Sequence, residues 1–188
     1  EDFSALIMNT ACWKPIMQRD DANVVLGTPT AENMSRILWH FVRNPKTGYY
    51  TIYSYLNGKC LDVQDAKSDC GANVWCYQEH GHVAQRWYVL RDSNGKMYLK
   101  AACSSKNLDL SNNESADGTN IQMWDYNMTN AQVFTIYQLD ANRDKLNHQI
   151  SVSKTQVNVN EKANISVTGA LYTTSYRFHI VAPNGQES

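Results

Sequence analysis

No run of Lys or Arg longer than two occurs in the 188 residues, and the formal net charge is −1. That removes the basic footprint of a nucleic-acid binder and any polybasic membrane signal. No stretch approaches about 18 consecutive apolar residues, so no membrane insertion is expected. The first residues, "EDFSALIMNT", lack a basic n-region and a long apolar core and do not read as a signal peptide. The five cysteines (Cys12, Cys60, Cys70, Cys76, Cys103) form no C-x-x-C and no Cys/His spacing of a zinc site. Their odd count leaves two readings open: one disulfide among Cys60, Cys70 and Cys76, or small buried hydrophobes. G-x-S-x-G, H-E-x-x-H and P-loop patterns are missing too. Asp20-Asp21 reads as a charged turn without a partner acid. No catalysis, no metal and no cofactor are expected of this chain. A sustained helical apolar stripe is also lacking; "AENMSRILWHF" comes nearest.

What the chain does have is apolar content of 43% against 19% charge, enough to bury a core. It is rich in Tyr (11) and Trp (5), with short Gly, Asn, Asp and Ser clusters, as expected of many short strands joined by turns. It also repeats itself. "GANVWCYQEHGHVAQRW" (Gly71 to Trp87) and "GTNIQMWDYNMTNAQVF" (Gly118 to Phe134) share Gly, Asn, a β-branched residue, Ala-Gln and a final aromatic at the same offsets. Leu61-Asp62-Val63 and Leu108-Asp109-Leu110 stand at the same spacing of 47. A looser copy runs through "DANVVLG" to Trp39, with a two-residue loop insertion. Three copies of roughly 47 residues thus cover about Phe3 to Gln138, in runs that alternate apolar and polar: "YYTIYSYL", "RWYVLR", "VFTIYQ". Four strands per copy predict a closed threefold barrel, because one unit cannot bury its apolar face alone and closure removes the sheet edges.

The order Leu-Asp-Val, Gly-x-Asn-Val/Ile, Gln-x-Trp/Phe resembles the ricin-B-type lectin domain, a β-trefoil also catalogued as a family 13 carbohydrate-binding module. The resemblance covers about three quarters of the chain. It implies one shallow sugar pocket per repeat: an aspartate, a stacking aromatic about fifteen residues later, and amide side chains. Such a set suits a pyranose, whose C–H face packs on a ring and whose hydroxyls need fixed acceptors and donors. Asp109, Gln122, Trp124 and Gln132 stand at offsets 0, +13, +15 and +23, and Asp62, Trp75, Tyr77 and Gln85 match them. Where the family often has Asn before the Gln, this chain has Ala84 and Ala131; Asn130 or Asn127 is the substitute in the third repeat. In the first repeat no acid occurs from Cys12 to Pro15, where the aspartate is expected, and Gly27 replaces the aromatic, so no sugar site is expected there.

Competing roles are stated for each. Gln85 and Gln132 can bond a turn's backbone, and Asp62 and Asp109 can cap one. Trp39, Trp87 and Phe134 are expected in the core. If Cys76 and Met123 point inward, Tyr77 and Trp124 point outward. His80 and His82 are expected at the rim of the second pocket or in solvent, having no third and fourth metal ligand.

After Gln138, "LDANRDKLNHQ" is a polar connector and the rest alternates: Val157-Val159, Ile165-Val167, Tyr176-Phe178-Ile180. The expected division is 1–139 trefoil, 140–148 linker and 149–188 the opening strands of an immunoglobulin-like sandwich, of the kind attached to secreted bacterial proteins. Those strands would leave an edge open to strand pairing with another chain. The expected whole is all-β: a lectin-like module of a secreted or cell-surface bacterial protein, whose parent can be a hydrolase. Its partners would be glycans, galactose-containing or plant and host polysaccharides. The alternative is a structural or protein-interaction trefoil without sugar binding.

Overall fold

The two-residue alternation becomes strands with one face in the core and the other outside. The computed structural model describes residues 2–139, 149–152 and 165–168. The chain divides into two units, Glu1–Ala141 and Asn142–Ser188. The first holds β1 (Phe3–Asn9), β2 (Lys14–Gln18), β3 (Val24–Leu26), the short α1 (Met34–Ile37), β4 (Leu38–Arg43), β5 (Tyr50–Ser54) and β6 (Cys60–Val63). It continues with β7 (Ala72–Tyr77), β8 (Trp87–Arg91), β9 (Met97–Ala101), β10 (Asn107–Leu110), β11 (Ile121–Trp124) and β12 (Phe134–Leu139).

Six of these strands close a ring. β1 pairs with β4, β4 with β5, β5 with β8, β8 with β9, β9 with β12 and β12 with β1, all antiparallel. The other six form hairpins β2–β3, β6–β7 and β10–β11, each joined to the ring through the strand before it. The hairpins also meet one another: β7 pairs with β11, and Asn23 and Val25 bridge to Trp75 and Asn120. A ring capped by three mutually paired hairpins is the β-trefoil architecture.

The ring's inner face is apolar. Trp39, Phe41, Ile52, Trp87, Leu99 and Phe134 are fully buried in one core. A buried indole needs a partner for its N–H. Trp39 donates to the Ile16 carbonyl at 3.3 Å and Trp87 to the Leu61 carbonyl at 2.8 Å. Each ring strand is thereby tied to the hairpin strand ahead of it. "AENMSRILWHF" splits as its mixed periodicity allows: α1 takes four residues and β4 begins directly after it. All five cysteines are free thiols; Cys60 and Cys76 are buried and behave as small hydrophobes.

At the cap, three asparagines from the three hairpins close a cycle. Asn23 Nδ2 donates to Asn120 Oδ1 (2.9 Å), Asn120 Nδ2 to Asn73 Oδ1 (3.0 Å), and Asn73 Nδ2 to Asn23 Oδ1 (2.9 Å). This accounts for the Asn in "DANV", "GANV" and "GTNI". Asn73 Nδ2 donates to Gln64 Oε1 as well (3.1 Å), so replacing Asn73 by Leu strands one donor and two acceptors in a half-buried place, an expected loss of about 1–3 kcal/mol. Urea denaturation checks it; an unchanged midpoint would mean that the cycle does not contribute.

In the second unit, β13 (Gln149–Val152) and β14 (Ile165–Thr168) pair antiparallel with Gln149 opposite Thr168. The remaining strands of the expected immunoglobulin-like segment, including Val157-Val159 and Tyr176-Phe178-Ile180, lie outside the described residues, as does the 140–148 connector.

Candidate functional site

Strand register decides where the polar residues gather. In the β6–β7 hairpin Asp62 stands opposite Trp75, with Tyr77 opposite Cys60 two residues on. In β10–β11 Asp109 stands opposite Gln122, with Trp124 opposite Asn107. Cys76 and Met123 are buried, while Tyr77 and Trp124 are 45% and 39% exposed. The register also moves one expectation. In β2–β3 the residue in the aspartate's place is Met17, opposite Val25, and not any of residues 12–15. The β2–β3 turn is five residues shorter than its two counterparts: Met17 lies 8 residues before its partner, whereas Asp62 and Asp109 lie 13 before theirs. Met17 fills the space that the acid would line: a Cβ on Gly27 would stand 2.9 Å from Met17 Cε.

Around Asp109 the amides are arranged as a closed set. Gln122 Nε2 donates to Asp109 Oδ1 at 3.0 Å and Gln132 Nε2 to Asp109 Oδ2 at 3.0 Å. Gln132 also donates to the Asp125 carbonyl and accepts from Asn127 N–H, so it ties the loop before β12. Asn127 Oδ1 is taken by Thr129, and Asn130 presents its carbonyl to Asn9 Nδ2 while its own side chain is exposed. Gly71, from the loop before β7, borders this place: its Cβ position lies 3.8 Å from the Trp124 ring.

Around Asp62 the set is open. Trp75 Nε1 donates to Asp62 Oδ1 at 2.9 Å. Its ring stacks on Tyr77, centroids 4.9 Å apart and planes 17° apart. Gln85 does not reach the carboxylate with a formed hydrogen bond; it donates to the Gln78 carbonyl and accepts from His80 N–H. Asp62 Oδ2 is buried and has no aligned donor, although His80 Nε2 lies 3.2 Å away off the hydrogen-bond line. A cavity of about 260 Å³ opens here, lined by Asp62, Asp65, Trp75, Tyr77, His80 and His82 with Ala66 and Ala84.

Asp65 was not foreseen. It sits in a short turn after β6 with a left-handed backbone, φ +57°, as Asn112 does after β10 at φ +55°. Asp and Asn tolerate that conformation better than most residues. Their recurrence at one offset was the available signal. Tyr126, 54% exposed and packed edge-on against Tyr98, was also missed beside Trp124.

Burial pushes both carboxyls above the ordinary range; Trp75 is the leading opposing donor at Asp62, and Gln122 and Gln132 oppose it at Asp109. A raised folded-state value means the folded chain holds the proton more tightly than the unfolded one. The stabilising contribution is full below the unfolded value and is lost as pH rises through the folded one. Asp109→Asn is therefore expected to flatten part of the decline in stability on the alkaline side of the carboxylate range. It should still fold: Gln132 is fixed by its other bonds, but Gln122 can turn its amide to accept from the new Nδ2. Midpoints of urea unfolding across pH check this; an unaltered slope would contradict it.

Among the described residues no helix is long and apolar enough to cross a membrane, and no group of three or more His, Cys, Asp or Glu is gathered for a metal.

The trefoil finds its counterparts among known proteins. Residues 37–124 match the family model described as ricin-type beta-trefoil lectin domain-like. The designed 3-fold symmetric protein ThreeFoil is similar at 25% identity and TM-score 0.67, over 72% of this chain and 99% of that one. The ricin B-like lectin of Macrolepiota procera, solved in complex with lactose, is similar at 20% identity and TM-score 0.62, over 72% of this chain and 95% of the lectin. An exo-beta-1,3-galactanase from Clostridium thermocellum is similar at 20% identity and TM-score 0.65; 73% of this chain spans 30% of the enzyme. A comparison with curated proteins gives no match.

Proposed function

We propose that this chain is a non-catalytic carbohydrate-binding module of a larger secreted or surface protein, built of three related units of which the second and third carry a sugar place. The observation that carries the reading is the cavity of about 260 Å³ on the second hairpin, with a carboxylate at its floor and a stacked aromatic pair at its wall. A carboxylate accepts from hydroxyls and a ring takes the C–H face of the pyranose. Asp62 and Tyr77, with Trp75 and Gln85 behind them, would form one place. Asp109, Gln122, Trp124, Asn130 and Gln132 would form the other. Galactose-containing glycans are the first candidates; the lactose complex of the similar lectin supports that choice. The first unit, with Met17 and Gly27, would have none. Two shallow places give modest avidity. An immunoglobulin-like continuation after the trefoil and a bacterial extracellular setting belong to the same proposal.

The second reading, a structural or protein-interaction trefoil, is favoured at the third unit by one observation: both oxygens of Asp109 already have protein donors. A glycan array followed by calorimetry with galactose, lactose and xylan fragments separates the two. Binding lost in Asp62→Ala or Asp109→Ala supports the module; silence across a broad array supports the structural reading.

A further inference from the structure

His80 is the residue at the second hairpin that the sugar-site reading leaves without a task. It belongs to the loop after β7 and lines the cavity. Two hydrogen bonds hold it. Its backbone N–H donates to Gln85 Oε1 at 3.0 Å. The His82 N–H donates to His80 Nδ1 at 3.2 Å. A nitrogen that accepts cannot carry a proton, so neutral His80 has its proton on Nε2. That nitrogen is the one 3.2 Å from Asp62 Oδ2. The oxygen is buried, without an aligned donor, and on the same cavity wall. An N–H donor and a carboxylate acceptor therefore stand side by side, neither satisfied by the other.

We propose that His80 Nε2–H and Asp62 Oδ2 act as a donor–acceptor pair for a sugar hydroxyl at the second site, and that a second proton on His80 closes the site. The inference rests on the carbohydrate reading above. One hydroxyl can accept from Nε2 and donate to Oδ2 at ordinary hydrogen-bond lengths of roughly 2.7–3.2 Å. Protonating Nδ1 breaks the bond from His82 N–H and turns His80 into an imidazolium facing Asp62. The ion pair then takes the acceptor that the hydroxyl needs. The other titratable groups that line the cavity with His80 are Asp65 from the turn after β6, Tyr77, its ring 6.0 Å away at the end of β7, and His82 from its own loop, with Glu79 next to it in the chain. Glu79 is engaged by the Tyr53 hydroxyl at 2.9 Å. No Lys or Arg lines the cavity, so an anionic sugar meets only carboxylates and histidines.

The test is site-resolved NMR titration of the full chain with methyl β-galactoside, lactose, xylobiose and galacturonate. The indole N–H signals of Trp75 and Trp124 report the second and third sites separately. Ring ¹⁵N shifts of His80 report its tautomer with no sugar present. Expected are the Nε2–H tautomer in the uncharged ring, movement of the Trp75 signal with a neutral sugar, and about tenfold weaker binding at this site when His80 is charged, about one hydrogen bond to a charged group. Against the protein with His80 uncharged, His80→Phe should lose up to about tenfold, the worth of one hydrogen bond between neutral groups. His80→Gln, whose amide N–H replaces Nε2–H, should keep affinity within about threefold and lose the pH dependence that His80 confers. An Nδ1–H tautomer, full affinity in His80→Phe, the same pH profile in His80→Gln, or galacturonate bound as tightly as the neutral sugars overturns the inference while leaving the carbohydrate reading intact. Movement of Trp124 alone also overturns it. If neither indole moves with any sugar, the carbohydrate reading falls and this inference with it.

Discussion

Trp87→Ala is expected to bring the trefoil close to unfolding in water. Trp87 is fully buried in the core, and its N–H is tied to the Leu61 carbonyl. Removing a buried aromatic ring costs about 3–5 kcal/mol. The orphaned carbonyl adds about 1–3 kcal/mol. Together these rival the whole stability of a typical domain, about 5–15 kcal/mol. Trp87→Phe isolates the second contribution, because it keeps a ring and gives up only the N–H and some volume. The chain already holds Phe134 at the matching place 47 residues later, buried to the same degree. Urea unfolding of the three proteins should order them wild type, Trp87→Phe, Trp87→Ala. If the Ala and Phe variants unfold together, the ring does not carry the core contacts ascribed to it.

The second large effect is on ligand affinity. Asp62→Ala is expected to weaken binding at the second site by about 10- to 100-fold, one hydrogen bond to a charged acceptor at about 1.5–3 kcal/mol. It also frees the Trp75 N–H, so the stacked Trp75–Tyr77 pair loses its anchor. Asp62→Asn separates charge from shape. Asp109→Ala should act differently, because Gln122 and Gln132 already occupy that carboxylate. Its first effect is a looser β11–β12 loop, and any loss of sugar binding at Trp124 follows from that. Calorimetry beside urea unfolding distinguishes the cases: Asp62→Ala should change affinity more than stability, and Asp109→Ala the reverse. Equal behaviour of the two would mean that the sites are equivalent and the amide closure around Asp109 is of no consequence.

Much of this was legible from spacing alone. Strict alternation sends Cys76 inward and Tyr77 outward whatever the partner strand, and the same holds for Met123 and Trp124. The 47-residue offset pairs Asp62 with Asp109 because equal spacing on equal hairpins gives equal register. Two kinds of fact were not legible. Where a hairpin turn is shortened, counting back from the strand after it overshoots the register partner; Met17 was missed in this way. Nor does periodicity state rotamers. It put Trp75 in the second pocket but not its N–H on Asp62, and it left His80 as rim. Trp75 and Gln122 each place one donor on Oδ1, so the open oxygen of Asp62 against the closed pair on Asp109 lies with the later amide: Gln132 reaches Oδ2 and Gln85 does not, a difference no spacing records.

The asparagine cycle at the cap has a sense of rotation: each amide gives to one neighbour and takes from the other. No two hairpins can close it: any pair holds one of the three bonds, and the other two arrive only with the third hairpin, across chain separations of up to 97 residues. Closing the cap is then a three-body event. A chain missing any one hairpin forfeits two of the three bonds rather than one. Double substitutions within it should accordingly cost less than the sum of the single ones, because the bond the two share is lost only once.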